Sequence, residues 1–262
     1  MVYQTLIFDI DNSIARIILN RPEAANSMNM QMMEELLDVS IVCDEDDSIR
    51  AVTITGTGRM FCAGGDLASF AKQGDKLPGF LKKATTVLHG AITRFARMKK
   101  PVITIINGSA AGAGFSLAIM GDYTIAADSA KFTMAYTAAG LSPDGSSSYF
   151  LPRLVGEKRA REIMMTNRTL TADEALNWGM INQISTNDDL TADANIMINK
   201  LASGPTLAYG TIKELLVNSA TSSLETQMEH ESRGIAASAG TVDGKEGIDA
   251  FLNKRRAEFG GK

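Results

Sequence analysis

The sequence predicts an α/β fold, and three observations predict it. Apolar β-type runs at 51–55, 102–106 and 123–126 alternate with amphipathic segments of helical period. Small-residue turns follow the first two of those runs, and strand character fades beyond Asp188-Asp189.

In chain order, residues 5–11 and 13–19 read as two short strands joined at Asp11-Asn12, a pair suited to a tight turn, so the chain opens on a hairpin that Asn20-Arg21-Pro22 closes. Residues 28–42 carry Met32, Leu36, Leu37 and Ile41 at helical spacing, and the acidic turn 44–47 leads into the strand at 51–55. A longer amphipathic helix is predicted over 80–98, stopped by Lys99-Lys100-Pro101 because proline cannot continue it. The strand 102–106, a turn over 108–114, a short helix at 115–120 and strands at 123–126 and 131–134 follow.

Helices are predicted over 156–165 and 171–178. The second is opened by Thr171 with Glu174 as capping-box partner and ended by Gly179. From there the pattern is helical, over 191–203, 205–219, 224–238 and 245–256, which divides the chain into a mixed core at 1–190 and a helical C-terminal region at 191–262. The strand-turn-helix units carrying Gly56 to Gly65 and Gly108 to Gly114 are similar in kind, but no solenoid period is present.

Composition narrows the function classes. With 262 residues, 45% of them hydrophobic and 21% charged, the chain can build a sizeable core. A net charge of −4 argues against a nucleic-acid footprint, although Lys254-Arg255-Arg256 is locally basic. Two cysteines, Cys43 and Cys62, and two histidines, His89 and His230, offer neither a disulfide framework nor a metal-ligand spacing. No apolar run is long enough to span a bilayer, and Met1-Val2-Tyr3-Gln4 lacks the basic-then-apolar pattern of a leader, so a reducing cytoplasm is the expectation.

The chemistry concentrates in the two turns. Six of the seven positions from Gly108 to Gly114 are Gly or Ala, and the upstream turn runs Phe61-Cys62-Ala63-Gly64-Gly65-Asp66. Small residues bring backbone N–H groups close to whatever lies in front of them. Two such turns meeting on one oxygen would stabilise an enolate or a tetrahedral species, each donor contributing roughly 3 kcal/mol. Packing alone also produces turns of this kind.

These segments, with Gly121-Asp122-Tyr123, Ala127-Asp128-Ser129-Ala130-Lys131-Phe132, Gly140-Leu141-Ser142-Pro143-Asp144, Leu170-Thr171-Ala172-Asp173-Glu174-Ala175 and Trp178-Gly179-Met180, resemble the crotonase (enoyl-CoA hydratase/isomerase) superfamily over nearly the whole chain. The resemblance implies a spiral of ββα units, acyl-CoA substrates with CoA entering as part of the substrate and no other cofactor, and a homotrimer or dimer of trimers built on the helical C-terminal region. It places the amides that hold the thioester oxygen on Gly65 and Ala113, the latter where most relatives carry Gly. Adenine recognition falls on backbone at Ala63 and Asp66, with Glu23-Ala24-Ala25, and so Glu23 and Ala25, lining the same groove. Gly64 and Tyr136 join the substrate-binding set, with Gly114 and His89 as further candidates.

Hydration of an enoyl thioester asks for two acid/base groups, and the hydratase branch supplies two glutamates. Their places fall here on Ser116 and Tyr136, which demotes a hydratase reading. The resemblance to a single-Asp isomerase branch, including phenylacetate-pathway ring-epoxide isomerases, implies instead that Asp144 is the one proton shuttle; read alone, Asp144 is equally a turn residue capping the next helix. A rival resemblance, to 4-chlorobenzoyl-CoA dehalogenases, implies that Asp144 attacks an aryl ring and His89 activates water, though Tyr136 stands where that branch has Trp. A CoA-binding protein without turnover is the alternative from another class.

The remaining candidates are weaker. Ser109, Ser116 and Ser146 to Ser148 lack a Gly-x-Ser-x-Gly elbow and read as turn and cap residues. Trp178 reads as core, and the fourteen methionines as gap fillers or acyl-pocket walls. Lys245, Lys254 and Arg255 read as a solvated face, with an approach to CoA phosphates as the alternative. Phe70, Phe80, Leu88, Tyr136 and Phe150 are the candidate walls of the acyl pocket.

Overall fold

The structure, a computed structural model, describes residues 3–262. Residues 1 and 2, part of the start read above for a leader, lie outside them. β1 (Leu6–Asp11) and β2 (Ile14–Leu19) form the predicted antiparallel hairpin, its turn made by Asn12 and Ser13 at positive φ. β3 (Ala51–Gly56), β5 (Val102–Ile106), β7 (Tyr123–Ala127) and β10 (Gln183–Ser185) then add in parallel, giving a six-stranded sheet in the order β1-β2-β3-β5-β7-β10.

Each turn of chain also leaves a short strand in a second sheet. β4 (Met60–Cys62), β6 (Ser109–Ala111) and β8 (Lys131–Thr133) pair in parallel, and β9 (Leu170–Thr171) closes the sheet in antiparallel. This is the expected repetition of two strands and a helix. The sequence does not announce β4, β6 or β10, because three residues are too few to show alternation. The stretch 108–114, read as one turn, contains β6, and only Gly112 is left to reverse the chain before the next helix.

Helices α1 (Met30–Glu45) and α3 (Leu77–Arg97) pack against each other on one side of the large sheet. The α3 helix starts before the predicted residue 80, with Pro78 in its first turn, where a missing N–H costs nothing. Between them α2 (Leu67–Ala71) is a single short turn. α4 (Ala113–Ile119) is buried along its whole length. The helix implied by the turn reading of Asp144 is α5 (Ser147–Val155), to which the sequence assigns no range because the run of serines and the internal Pro152 both argue against a helix. α6 (Glu157–Thr166) and α7 (Ala172–Asn177) follow, the latter with the predicted Thr171/Glu174 capping box.

The main core gathers Ile17, Val52 and Ile54 with α1, α3 and the fully buried Phe61, Phe115 and Phe132; the last two meet edge to face at 6.3 Å. On the other face of the large sheet, Ile14, Ile103 and Ile125 pack on Leu190, Ala194 and Ile198 of α8 (Leu190–Ala202). α9 (Thr206–Ser219), α10 (Leu224–Gly240) and α11 (Val242–Leu252) complete the chain, α11 beginning and ending earlier than the predicted 245–256.

A buried pair fastens α9 to the core: Lys213 Nζ reaches Asp122 Oδ2 at 2.6 Å and the carbonyls of Phe95 and Lys100 at 3.0 and 3.1 Å. Among the described residues no helix is long and apolar enough to cross a membrane.

Candidate active site

One wall of the site is made of backbone. As the chain leaves β4, Ala63 N–H donates to Ala25 O at 3.0 Å, and the peptides either side of Gly65 pair with Met28: Met28 N–H donates to Gly64 O at 2.7 Å and Asp66 N–H to Met28 O at 3.1 Å. The N–H of Gly65 itself takes no partner among the described residues. Gly64 sits at φ +95°, a region closed to residues with a Cβ.

The second turn pivots on Gly112 at φ 51°, whose N–H donates to Thr133 O at 3.1 Å, so that Ala113 becomes the first residue of α4. Its N–H is one of the donors a helix start leaves over, and it too has no partner among the described residues. The two turns touch. A Cβ on Gly64 would lie 2.8 Å from Ala111 O and 3.1 Å from Ala113 N. Behind them, a Cβ on Gly114 would lie 2.6 Å from Cys62 Cβ, so the glycine is what lets α4 approach β4. Cys62 is itself fixed there, donating to Asn26 O at 3.0 Å and accepting from Gly64 N–H at 3.4 Å.

The opposite wall is made of side chains that converge on Asp144. Tyr136 Oη donates to Asp144 Oδ1 at 2.6 Å, and His89 Nε2, from α3, lies 3.3 Å from Oδ2. The hydroxyls of Ser116, from α4, and Ser147, from α5, each donate to Asp144 O at 2.9 Å. Burial, then the Asp144 charge, push the Tyr136 phenol well above its ordinary value, so it remains a proton donor. The Asp144 side chain is 24% exposed and that of His89 47%.

Ser116 and Tyr136, which the resemblance places at the hydratase glutamate positions, serve in this structure as hydroxyl props for Asp144. Nothing in the sequence around residue 144 announces them as partners.

The walls enclose a cavity of about 330 Å³ reached by Ala63, Gly65, Ala113, Tyr136 and Asp144. Its remaining surface is mainly apolar, with Met33, Phe70, Leu81, Leu88 and Leu141. The Phe70 ring lies directly over Gly65, where a Cβ would be 2.7 Å from Cε2, and packs edge to face on Phe80 with centroids 5.9 Å apart.

Of the predicted walls, Phe70, Leu88 and Tyr136 line the space. Phe80 acts through Phe70, and Phe150 lies beside a separate cleft with Ile92 and Tyr149. Glu23 is exposed on a single 3-10 turn and does not line the cavity; Ala25 reaches the site only through its bond to Ala63. The Asp66 side chain is occupied by Arg21 at 3.1 Å and by Ser69 N–H at 3.0 Å, where it caps α2. Gly64 and Gly114 shape the turns from behind. Arg255 is bound to Glu246 and Asp249, which spends its charge within the chain end.

Residues 9–262 match the family model "Enoyl-CoA hydratase/isomerase". The chain is 36% identical to 1,2-epoxyphenylacetyl-CoA isomerase of Escherichia coli (strain K12) over 98% of both chains. It is 33% identical to 4-chlorobenzoyl coenzyme A dehalogenase-2 of Arthrobacter sp, covering 93% of this chain and 88% of that one. The crystal structure of an enoyl-CoA hydratase from Polaromonas sp. JS666 matches with a TM-score of 0.92 at 31% identity, over 97% of this chain and 99% of that one. Two peptide turns and one carboxylate line an apolar cavity in a spiral of paired strands and helices, and the architecture is that of the enoyl-CoA hydratase structure it matches. The protein belongs to the enoyl-CoA hydratase/isomerase family of the crotonase superfamily.

Proposed function

We propose that this protein is an acyl-CoA isomerase that shifts a double bond or proton in an enoyl-type CoA thioester, with Asp144 as its single acid/base group. The observation that carries this reading is that Asp144 is the one carboxylate among the described residues lining the cavity. A double-bond shift needs only one: the carboxylate removes a proton from one carbon of the acyl chain and, as the acid, returns it two carbons away. The electron pair left behind spreads through a dienolate onto the thioester oxygen.

Gly65 and Ala113 N–H groups receive that oxygen, and each is worth roughly 3 kcal/mol to the charged intermediate. Alanine at 113 keeps the donor. CoA enters as part of the substrate, and its binding holds the acyl chain in line for the transfer. Assembly as a homotrimer or dimer of trimers belongs to the same proposal, supported by the exposed apolar Met228, Ile235, Phe251 and Leu252 on α10 and α11. Exchange of solvent deuterium into enoyl-CoAs tests the reading: exchange that requires Asp144 supports it, and tight CoA binding without exchange or conversion favours a binding protein.

The nearness of His89 to Asp144 favours a second reading, hydrolytic dehalogenation of an aryl-CoA. There the carboxylate attacks the ring carbon, halide leaves, and water cleaves the resulting aryl ester. Mass spectrometry that traps an aryl ester on Asp144 during turnover of a halogenated aryl-CoA would replace the isomerase reading with this one.

A further inference from the structure

The hydrogens around Asp144 distinguish its two oxygens. The Gly145 N–H, whose direction is set by its peptide plane, donates to His89 Nε2 at 3.1 Å. A ring nitrogen that accepts a hydrogen through its lone pair carries none of its own, so the proton of the neutral imidazole is on Nδ1. The same bare Nε2 faces Asp144 Oδ2 at 3.3 Å. Two acceptors meet there with no hydrogen between them, whereas Oδ1 holds the Tyr136 O–H at 2.6 Å.

We propose that His89 is a positioning residue, held as the Nδ1–H tautomer, that clamps the Gly145 amide and leaves Oδ2 of Asp144 as the proton-carrying oxygen. This rests on the isomerase reading and names the reacting atom within it. Gly145 and Ser146 follow one another at φ +60° and +70°, and a Cβ on Gly145 would lie 2.9 Å from Ser116 Cβ. Such a reversal keeps its shape only while it is held from both sides. Ser116 and Ser147 hold it by the Asp144 carbonyl, and His89 by the Gly145 amide. An Nε2 occupied in this way is not free to take a proton from water, which separates this role from the hydrolytic one.

The chain has only two histidines, so long-range proton–nitrogen correlation spectra of the ¹⁵N-labelled protein near neutral pH can be assigned with H89Q alone. The expected result is Nδ1 protonated and Nε2 unprotonated for His89. A proton on Nε2 overturns the proposal.

In kinetics, H89Q, whose amide oxygen can accept the Gly145 hydrogen, keeps most of the kcat that H89L loses, about 10-fold, with the thioester KM unchanged in both. Equal loss in the two variants overturns it. Should H89L fail to fold, the spectra and H89Q against wild type decide. Full activity of D144N would sink the isomerase reading without altering the tautomer result, so the two failures are distinguishable.

Discussion

The two walls of the cavity are built on opposite principles. At Gly65 and Ala113 the working groups are main-chain N–H donors, fixed because the peptides beside them are engaged with Ala25, Met28 and Thr133. At Asp144 the working group is a side chain, held by Tyr136 at Oδ1, by Ser116 and Ser147 at its own carbonyl, and by His89 through the next peptide's N–H. The backbone wall should therefore tolerate change at Ala113, whose N–H survives any side chain but proline's, and fail on change at the glycines, Gly65 among them because a Cβ there would lie 2.7 Å from the Phe70 ring. The side-chain wall should show the reverse, with the deepest loss at the residue that acts and graded losses at its props.

The largest effect is expected at Asp144. D144N keeps the shape and removes the base, so kcat falls by about 10²–10⁴-fold while thioester affinity, measured by titration calorimetry, stays near wild type. Next is G114A, in which the new methyl group would press on Cys62 and push the start of α4 out of place. Loss of one aligned donor costs roughly 10²-fold in kcat, and overpacking costs about 1–3 kcal/mol in urea unfolding.

Y136F removes the donor to Oδ1 and should lower kcat about 10-fold with little change in KM, as steady-state kinetics would show. At the small end, A113G keeps the N–H and should stay within about 3-fold of wild-type kcat. An A113G as damaged as G114A would break the contrast between donor and shaping residues.

How much of this was legible in the sequence follows the same division. The backbone wall could be read because its requirement is local: Gly64-Gly65 and Gly112-Ala113-Gly114 announce close approach in consecutive residues. Asp144 itself stood out only through the resemblance, and its partners lie elsewhere, His89 fifty-five residues before it and Ser116 on a buried helix. Hydrogen bonds between distant segments leave no periodicity. The alternation of strands and helices was readable through the apolar runs. The three-residue strands β4 and β6 and the extent of the proline-bearing α5 were not, because tertiary packing outweighs their weak local preference there.

A weaker but independent check concerns what lies beneath the backbone wall. Burial pushes the Cys62 thiol from its ordinary 9.0 up to about 12. The folded chain thus holds this proton more firmly than the unfolded one. The associated stability is complete below pH 9.0 and declines as pH rises toward about 12. Native protein at pH 8 should leave Cys62 unlabelled by a thiol reagent that modifies it at once in urea; fast native labelling would mean that the turn opens.

The most direct measurement of the central claim is solvent deuterium incorporation into an enoyl-CoA that the wild-type protein turns over, followed by mass spectrometry with wild type and D144N side by side. One carboxylate working against two peptide N–H groups predicts exchange in the wild type and a loss of about 10²–10⁴-fold in D144N, with the thioester still bound. Exchange by D144N at the wild-type rate would contradict it and place the proton transfer on another group.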